Sequence, residues 1–106
     1  MVEIRLETLT RNEVNVLSGH ERGVSARAAF DLDKLDQGSE EIDIVIPDTL
    51  EAVTPSFVQG FFARSFATLG GKDGVARRYH FRGRPLVIDD FKVGLDRLGF
   101  DRRKIL

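Results

Sequence analysis

Residues 54–71 read Thr-Pro-Ser-Phe-Val-Gln-Gly-Phe-Phe-Ala-Arg-Ser-Phe-Ala-Thr-Leu-Gly-Gly, and no other stretch constrains the fold as strongly. Val58, Phe61, Phe62, Ser65, Phe66 and Leu69 recur at i, i+3, i+4, i+7, i+8 and i+11, the spacing of one helical face. Three phenylalanines on one stripe are stable only when covered, so the segment predicts a helix packed on a sheet. Its ends are legible too. Thr54 suits the N-cap, Pro55 the first helical position, and Gly70-Gly71 the stop.

Strands flank this helix. Ile42, Ile44 and Ile46, with Val45 between them, read as a strand deep in a sheet, ended by Pro47-Asp48 because proline cannot donate to a ladder. Tyr79 and Phe81 alternate with Arg78, His80 and Arg82, which predicts a strand with a basic outer face. At the start, Val2, Ile4 and Leu6 alternate with Glu3, Arg5 and Glu7, a half-buried strand. A turn at Arg11-Asn12 and a short strand at Val14 and Val16 suggest its hairpin partner. A helix is expected over 23–36, with Val24, Ala28, Leu32 and Leu35 on its core face and Gln37-Gly38-Ser39 closing it. A last helix follows from Ile88, Phe91, Leu95 and Leu98, with Asp89 and Asp90 in its first turn, where the dipole favours them. The order β β α β α β α predicts an α/β fold in one small domain, with a mixed four- to five-stranded sheet and about three helices. Residues 1–16 form the N-terminal hairpin, 17–98 the core and 99–106 a basic tail.

A length of 106 residues fits one domain. With no cysteine, the chain has neither a disulfide framework nor thiolate chemistry. Its apolar runs fall far short of the roughly 20 residues that span a bilayer, and MVEIRLETL lacks the apolar core of a signal peptide. A soluble, cytoplasmic protein is expected. The net charge of −1 conceals an asymmetry. Residues 1–56 hold 5 Lys+Arg against 12 Asp+Glu, a balance of −7, and residues 57–106 hold 11 against 5, a balance of +6. Packed in one small domain, the two halves should neutralise each other.

Catalytic templates find no match. His20 and His80 stand apart from any ligand-spaced cluster, and no phosphate-cradling glycine loop is present. Asp89 and Asp90, as neighbours on a helix, point about 100° apart and do not form a carboxylate pair. No enzyme activity, metal or cofactor is expected. Two surfaces remain. Arg77, Arg78, Arg82 and Arg84, with the 102–104 basic tail, could contact nucleic acid or phosphate, although the alternation turns Tyr79 and Phe81 toward the core and away from bases. At the start of the aromatic helix, Ser56 is the second helical residue, where no cap is required. A phosphoryl group there would meet free N–H groups and the positive end of the dipole.

That second segment carries a resemblance. The strand Ile42-Asp43-Ile44-Val45-Ile46, then Val53-Thr54-Pro55-Ser56-Phe57 and an aromatic-rich helix, resembles the STAS-like domain family of bacterial proteins, which are similar to anti-sigma factor antagonists. The upstream Gly23-Val24-Ser25-Ala26-Arg27 fits the same pattern, and the resemblance spans residues 14–98. It implies a β-α-β-α-β-α core with a mixed sheet, and a role in signalling and transcription regulation by partner switching. The partner it implies is a histidine-kinase-type ATPase domain, bound at the start of the second core helix and released when a hydroxyl there is phosphorylated. Antagonists typically carry Asp-Ser-Ser/Thr-Gly at that point. Here Pro55 takes the place of the usual phosphoserine, so the phosphorylation candidates become Ser56 and Thr54. The partner-binding surface implied comprises Asp48, Glu51, Thr54, Ser56 and Gln59, with a homodimer as a further association.

Overall fold

The computed structural model describes the backbone of residues 2–11 and 13–105, and the side chains of these residues up to Phe100. Among them, the chain forms an α/β fold of five strands and six helices. In order these are β1 (Val2–Arg5), α1 (Glu7–Thr10), β2 (Val16–Leu17), α2 (His20–Ala29), α3 (Leu32–Gln37), β3 (Ile42–Val45), β4 (Ala52–Val53), α4 (Pro55–Leu69), α5 (Lys72–Arg78), β5 (Tyr79–Arg82) and α6 (Pro85–Ile105).

Every ladder among the described residues is parallel, and the strands divide into one sheet of three and one of two. The expected single mixed sheet of four to five strands therefore does not form, and six helices stand where about three were expected. β3 lies between β1 and β5, pairing Ile42 with Val2 and Tyr79, and Ile44 with Ile4 and Phe81. The expected N-terminal hairpin does not form. α1 turns the chain away after β1, and β2 pairs instead with β4 through Val16–Ala52 and Leu17–Val53. A two-residue apolar run can join any neighbour of matching register, and here the distant β4 supplies it. Asn12 of the expected turn lies outside the described residues.

The main sheet is covered on one face. Ile4, Ile42, Ile44 and Tyr79 are buried there, on the face that meets α4 and α6 through the rings of β5. The Phe62 ring meets Tyr79 edge-on at 5.1 Å, and Phe91 stacks on Phe81 at 4.7 Å. On the other face polar contacts replace a second helical layer: Arg5 pairs with Glu3 and Arg82 with Asp43, and a His80 ring nitrogen lies 2.9 Å from a Glu41 carboxylate oxygen. Arg82–Asp43 and Arg64–Asp33 join the acidic and basic halves of the chain, in the sense expected from the charge asymmetry.

α4 matches its sequence pattern. Val58, Phe61, Phe62, Ser65 and Phe66 are buried, and the helix stops at Gly70 in the left-handed region (φ 86°). The expected helix over 23–36 is instead two, broken at Phe30-Asp31, where Asp31 is left-handed (φ 54°). Its face also differs. Gly23, Ala26 and Arg27 are buried while Val24 is 46% exposed. The cause is a close approach of α2 and α4: a Cβ on Gly23 would lie 2.2 Å from the Phe57 carbonyl oxygen, and one on Gly60 2.0 Å from that of His20. α5 was not foreseen, and it places Arg77 and Arg78 in a helical turn, not on β5. α6 begins at Pro85, so Asp89 and Asp90 fall in its second turn, and its backbone stays helical to Ile105, within the segment expected as a tail. The side chains of Arg102, Arg103 and Lys104 lie outside the described residues.

Candidate functional site

β2 and β4 run side by side and each leads directly into a helix, which brings the starts of α2 and α4 together. The Thr54 N–H donates to the Leu17 carbonyl at 2.9 Å, locking the two turns. The Thr54 hydroxyl accepts from the Phe57 N–H at 3.3 Å, the N-cap expected of it. Ser56 is exposed at the second position of α4. Its oxygen accepts from the N–H of Gly19, the residue preceding α2, at 3.3 Å, and lies 3.0 Å from the Thr54 oxygen. One exposed hydroxyl therefore sits between two helix starts, where the partial positive charges of both dipoles favour an anion.

The other residues named from the sequence are spread around this point. Glu51 is exposed immediately before β4, its N–H donating to the Asn15 carbonyl at 2.8 Å. Asp48 lines a separate groove at the C-terminal end of β1 and β3, with Arg5, Glu7 and Thr49. Gln59 lines a groove between α2 and α4 with His20, Val24 and Ala63. Thr54 and Ser56 thus stand together at the start of α4, Glu51 lies at the other end of β4, and Asp48 and Gln59 line different grooves.

Three of the four arginines make hydrogen bonds within the fold, and Arg82 and Arg84 remain exposed while doing so. Arg78 donates to the carbonyls of Glu40 and Leu35 at 2.9 and 2.7 Å, Arg84 donates to that of Leu50 at 2.6 Å, and Arg82 reaches Asp43 at 3.3 Å. Arg77 is exposed. Among the described residues no three His, Asp or Glu side chains are grouped as metal ligands. Asp90, expected to serve the helix dipole, instead accepts the Val53 N–H at 3.0 Å and so fastens α6 to β4.

Sequence reasoning missed a buried polar cluster beneath this region. Arg27, 4% exposed, donates to Asp33 (3.0 and 2.7 Å), Asp36 (2.9 Å), Ser65 (2.7 Å) and the Phe61 carbonyl (3.0 Å). The Ser65 and Tyr79 hydroxyls both donate to Asp36 at 2.5 Å. Burial alone would lower the Arg27 pKa, but the hydrogen bonds and charges of Asp36 and Asp33 override it and hold the value above the ordinary one. Its hydrogen bond to Arg27 holds Asp33 below its usual range. The signal for the cluster was Ser65 itself, a hydroxyl within a phenylalanine stripe, which needs a buried partner.

Burial and the hydrogen bond to Asp36 push the Tyr79 phenol well above its ordinary value. The folded state therefore favours the neutral phenol. That stabilisation is complete below about pH 10, the unfolded pKa, and is lost as pH rises from there toward the folded value. Tyr79 is the only tyrosine and tryptophan is absent, so phenolate absorbance near 295 nm reports on this one group. We expect no phenolate signal through pH 10 while the fold persists, and its appearance together with loss of circular dichroism. A titration near pH 10 in the folded protein would remove the phenol from the cluster.

No protein-family model matches the chain, and neither the curated proteins nor the solved structures searched contain a match.

Proposed function

We propose that the chain is a STAS-like, non-catalytic regulatory module of the cytoplasm, resembling anti-sigma factor antagonists, that binds a histidine-kinase-type ATPase domain at the start of α4. The observation that carries this reading is Ser56: exposed, at the second position of a long helix, and joined to the start of a second helix through Gly19. A phosphoryl group on that oxygen would be held by two dipoles and would add nearly two negative charges beside Glu51. The fold would tolerate the modification while an acidic partner surface would be repelled. Thr54 is the weaker acceptor, since its oxygen already caps the helix.

The arginine strand fits a phosphate backbone less well. Arg78 spends two of its donors on the carbonyls of Glu40 and Leu35. Arg82 and Arg84, which are exposed, each spend one, on Asp43 and the Leu50 carbonyl, so part of their donor capacity is committed within the fold.

The test is affinity capture from a lysate of the source cell with wild type, Ser56→Glu, Ser56→Ala and Gln59→Ala, each first shown folded by circular dichroism. The expected result is an ATPase-domain protein held by wild type and reduced at least tenfold by Ser56→Glu. Retention by all three variants would remove the surface from consideration. Recovery of nucleic acid, indifferent to Ser56 and lost steeply with added salt, would transfer the function to the arginines.

A further inference from the structure

α6 carries a second surface, on an element that plays no part in the Ser56 reading. The helix is 21 residues long, about 31 Å at 1.5 Å per residue. Val87, Phe91, Leu95 and Leu98 are its buried side, and Gly94 lies close against Val58 of α4. Away from that side stand three large apolar residues: Leu86 at 77%, Val93 at 47% and Phe100 at 58% exposure. They recur every seven residues, a drift of only about 20° per repeat, so they form one stripe along the helix. An apolar seven-residue repeat is the pattern by which helices pack against each other at a shallow angle.

The stripe is self-complementary. Leu86 and Phe100 lie equally far on either side of Val93, so a two-fold axis through Val93 places Leu86 against the partner's Phe100, and Val93 against itself. The charges agree. Asp90, one carboxylate oxygen of which already accepts the Val53 N–H, and Arg97 lie on the same flank of the stripe, one on each side of Val93, and an antiparallel partner brings each opposite the other. Among the described residues Arg97 makes no ion pair. On the other flank Asp89 approaches the partner's Asp96, a charge already met by Lys72 at 2.5 Å. A parallel arrangement would instead set like charges in register and align the two dipoles.

We propose that this stripe is the seam of a homodimer in which α6 packs antiparallel on α6 of a second copy. An isologous contact requires a patch that matches itself after a two-fold rotation, and the spacing about Val93 supplies one. Three apolar layers place the contact at the small end of specific interfaces, so the dimer should be weak and reversible.

The absence of cysteine makes the test direct. Under mild oxidation, Val93→Cys alone should form a covalent dimer. Leu86→Cys and Phe100→Cys should cross-link when mixed, and neither should do so by itself. In sedimentation, wild type should show a mass rising with concentration toward twice that of the monomer, and Val93→Glu, folded by circular dichroism, should weaken association at least tenfold. The proposal is overturned by a wild-type chain that stays monomeric at several hundred micromolar. Cross-linking of Leu86→Cys with itself, and not with Phe100→Cys, would equally overturn the antiparallel seam. Neither result touches the Ser56 surface, which is read by partner capture.

Discussion

Arg27→Leu is expected to destabilise the fold by about 3–5 kcal/mol, seen as a lower urea midpoint at unchanged slope. The loss comes from what is left behind. Asp36, whose side chain is 2% exposed, would keep only the neutral donors Ser65 and Tyr79 against its charge. The double variant Arg27→Leu/Asp36→Leu should recover part of the loss, because no buried ion is then uncompensated. If the two losses simply add, the cluster is not the coupled unit that the distances describe. A loss below about 1 kcal/mol for Arg27→Leu would mean that the guanidinium reaches water, where such pairs contribute little.

Phe62→Ala should cost a comparable amount, about 3–5 kcal/mol, because the site cannot collapse around the missing ring. Phe62 is fully buried and meets four aromatic neighbours: Phe61 at 4.8 Å, Tyr79 at 5.1 Å, Phe81 at 6.1 Å and Phe91 at 6.2 Å. These belong to α4, β5 and α6, so one ring joins three elements. Set against a total stability of roughly 5–15 kcal/mol, such a loss leaves little margin at physiological temperature. Phe62→Leu, which keeps most of the volume, should retain the greater part of the stability. Thermal melts of the two variants decide it: equal melting temperatures would mean that the ring contacts are not what holds the layer together.

These two residues differ in how readily the sequence discloses them. Phe62 was legible because helical periodicity is a local signal, and both ends of α4 are written in adjacent residues. β3 and β5 were legible for the same reason. Arg27 was not. In a helical pattern a charged residue reads as surface, and its partners Asp33, Asp36 and Ser65 come from two further elements, with Tyr79 of a third joined through Asp36. The break at Asp31 left no local mark either, since the residues around it keep a helical pattern. α5 holds one buried apolar side chain, Val75, too few to show a period. The hairpin expectation failed because alternation tells which residues form a strand but not which strand they pair with. At the candidate site, Thr54 and Ser56 could be placed from sequence alone, whereas their junction with Gly19 depends on β2 meeting β4.

That pairing pattern also bears on how the chain reaches its fold. Val2 pairs with Ile42, Ile42 with Tyr79, and Val16 with Ala52, so the partners stand 40, 37 and 36 positions apart. No strand pair can form without closing a long loop first, and the entropy of that closure precedes any reward from the ladder. Helices α2, α4 and α6 can form early from local contacts, but the sheet must wait for distant segments to meet. Refolding should therefore take milliseconds or longer, slower than a helical bundle of equal length, and until the sheet closes the phenylalanine face of α4 stays open to other chains.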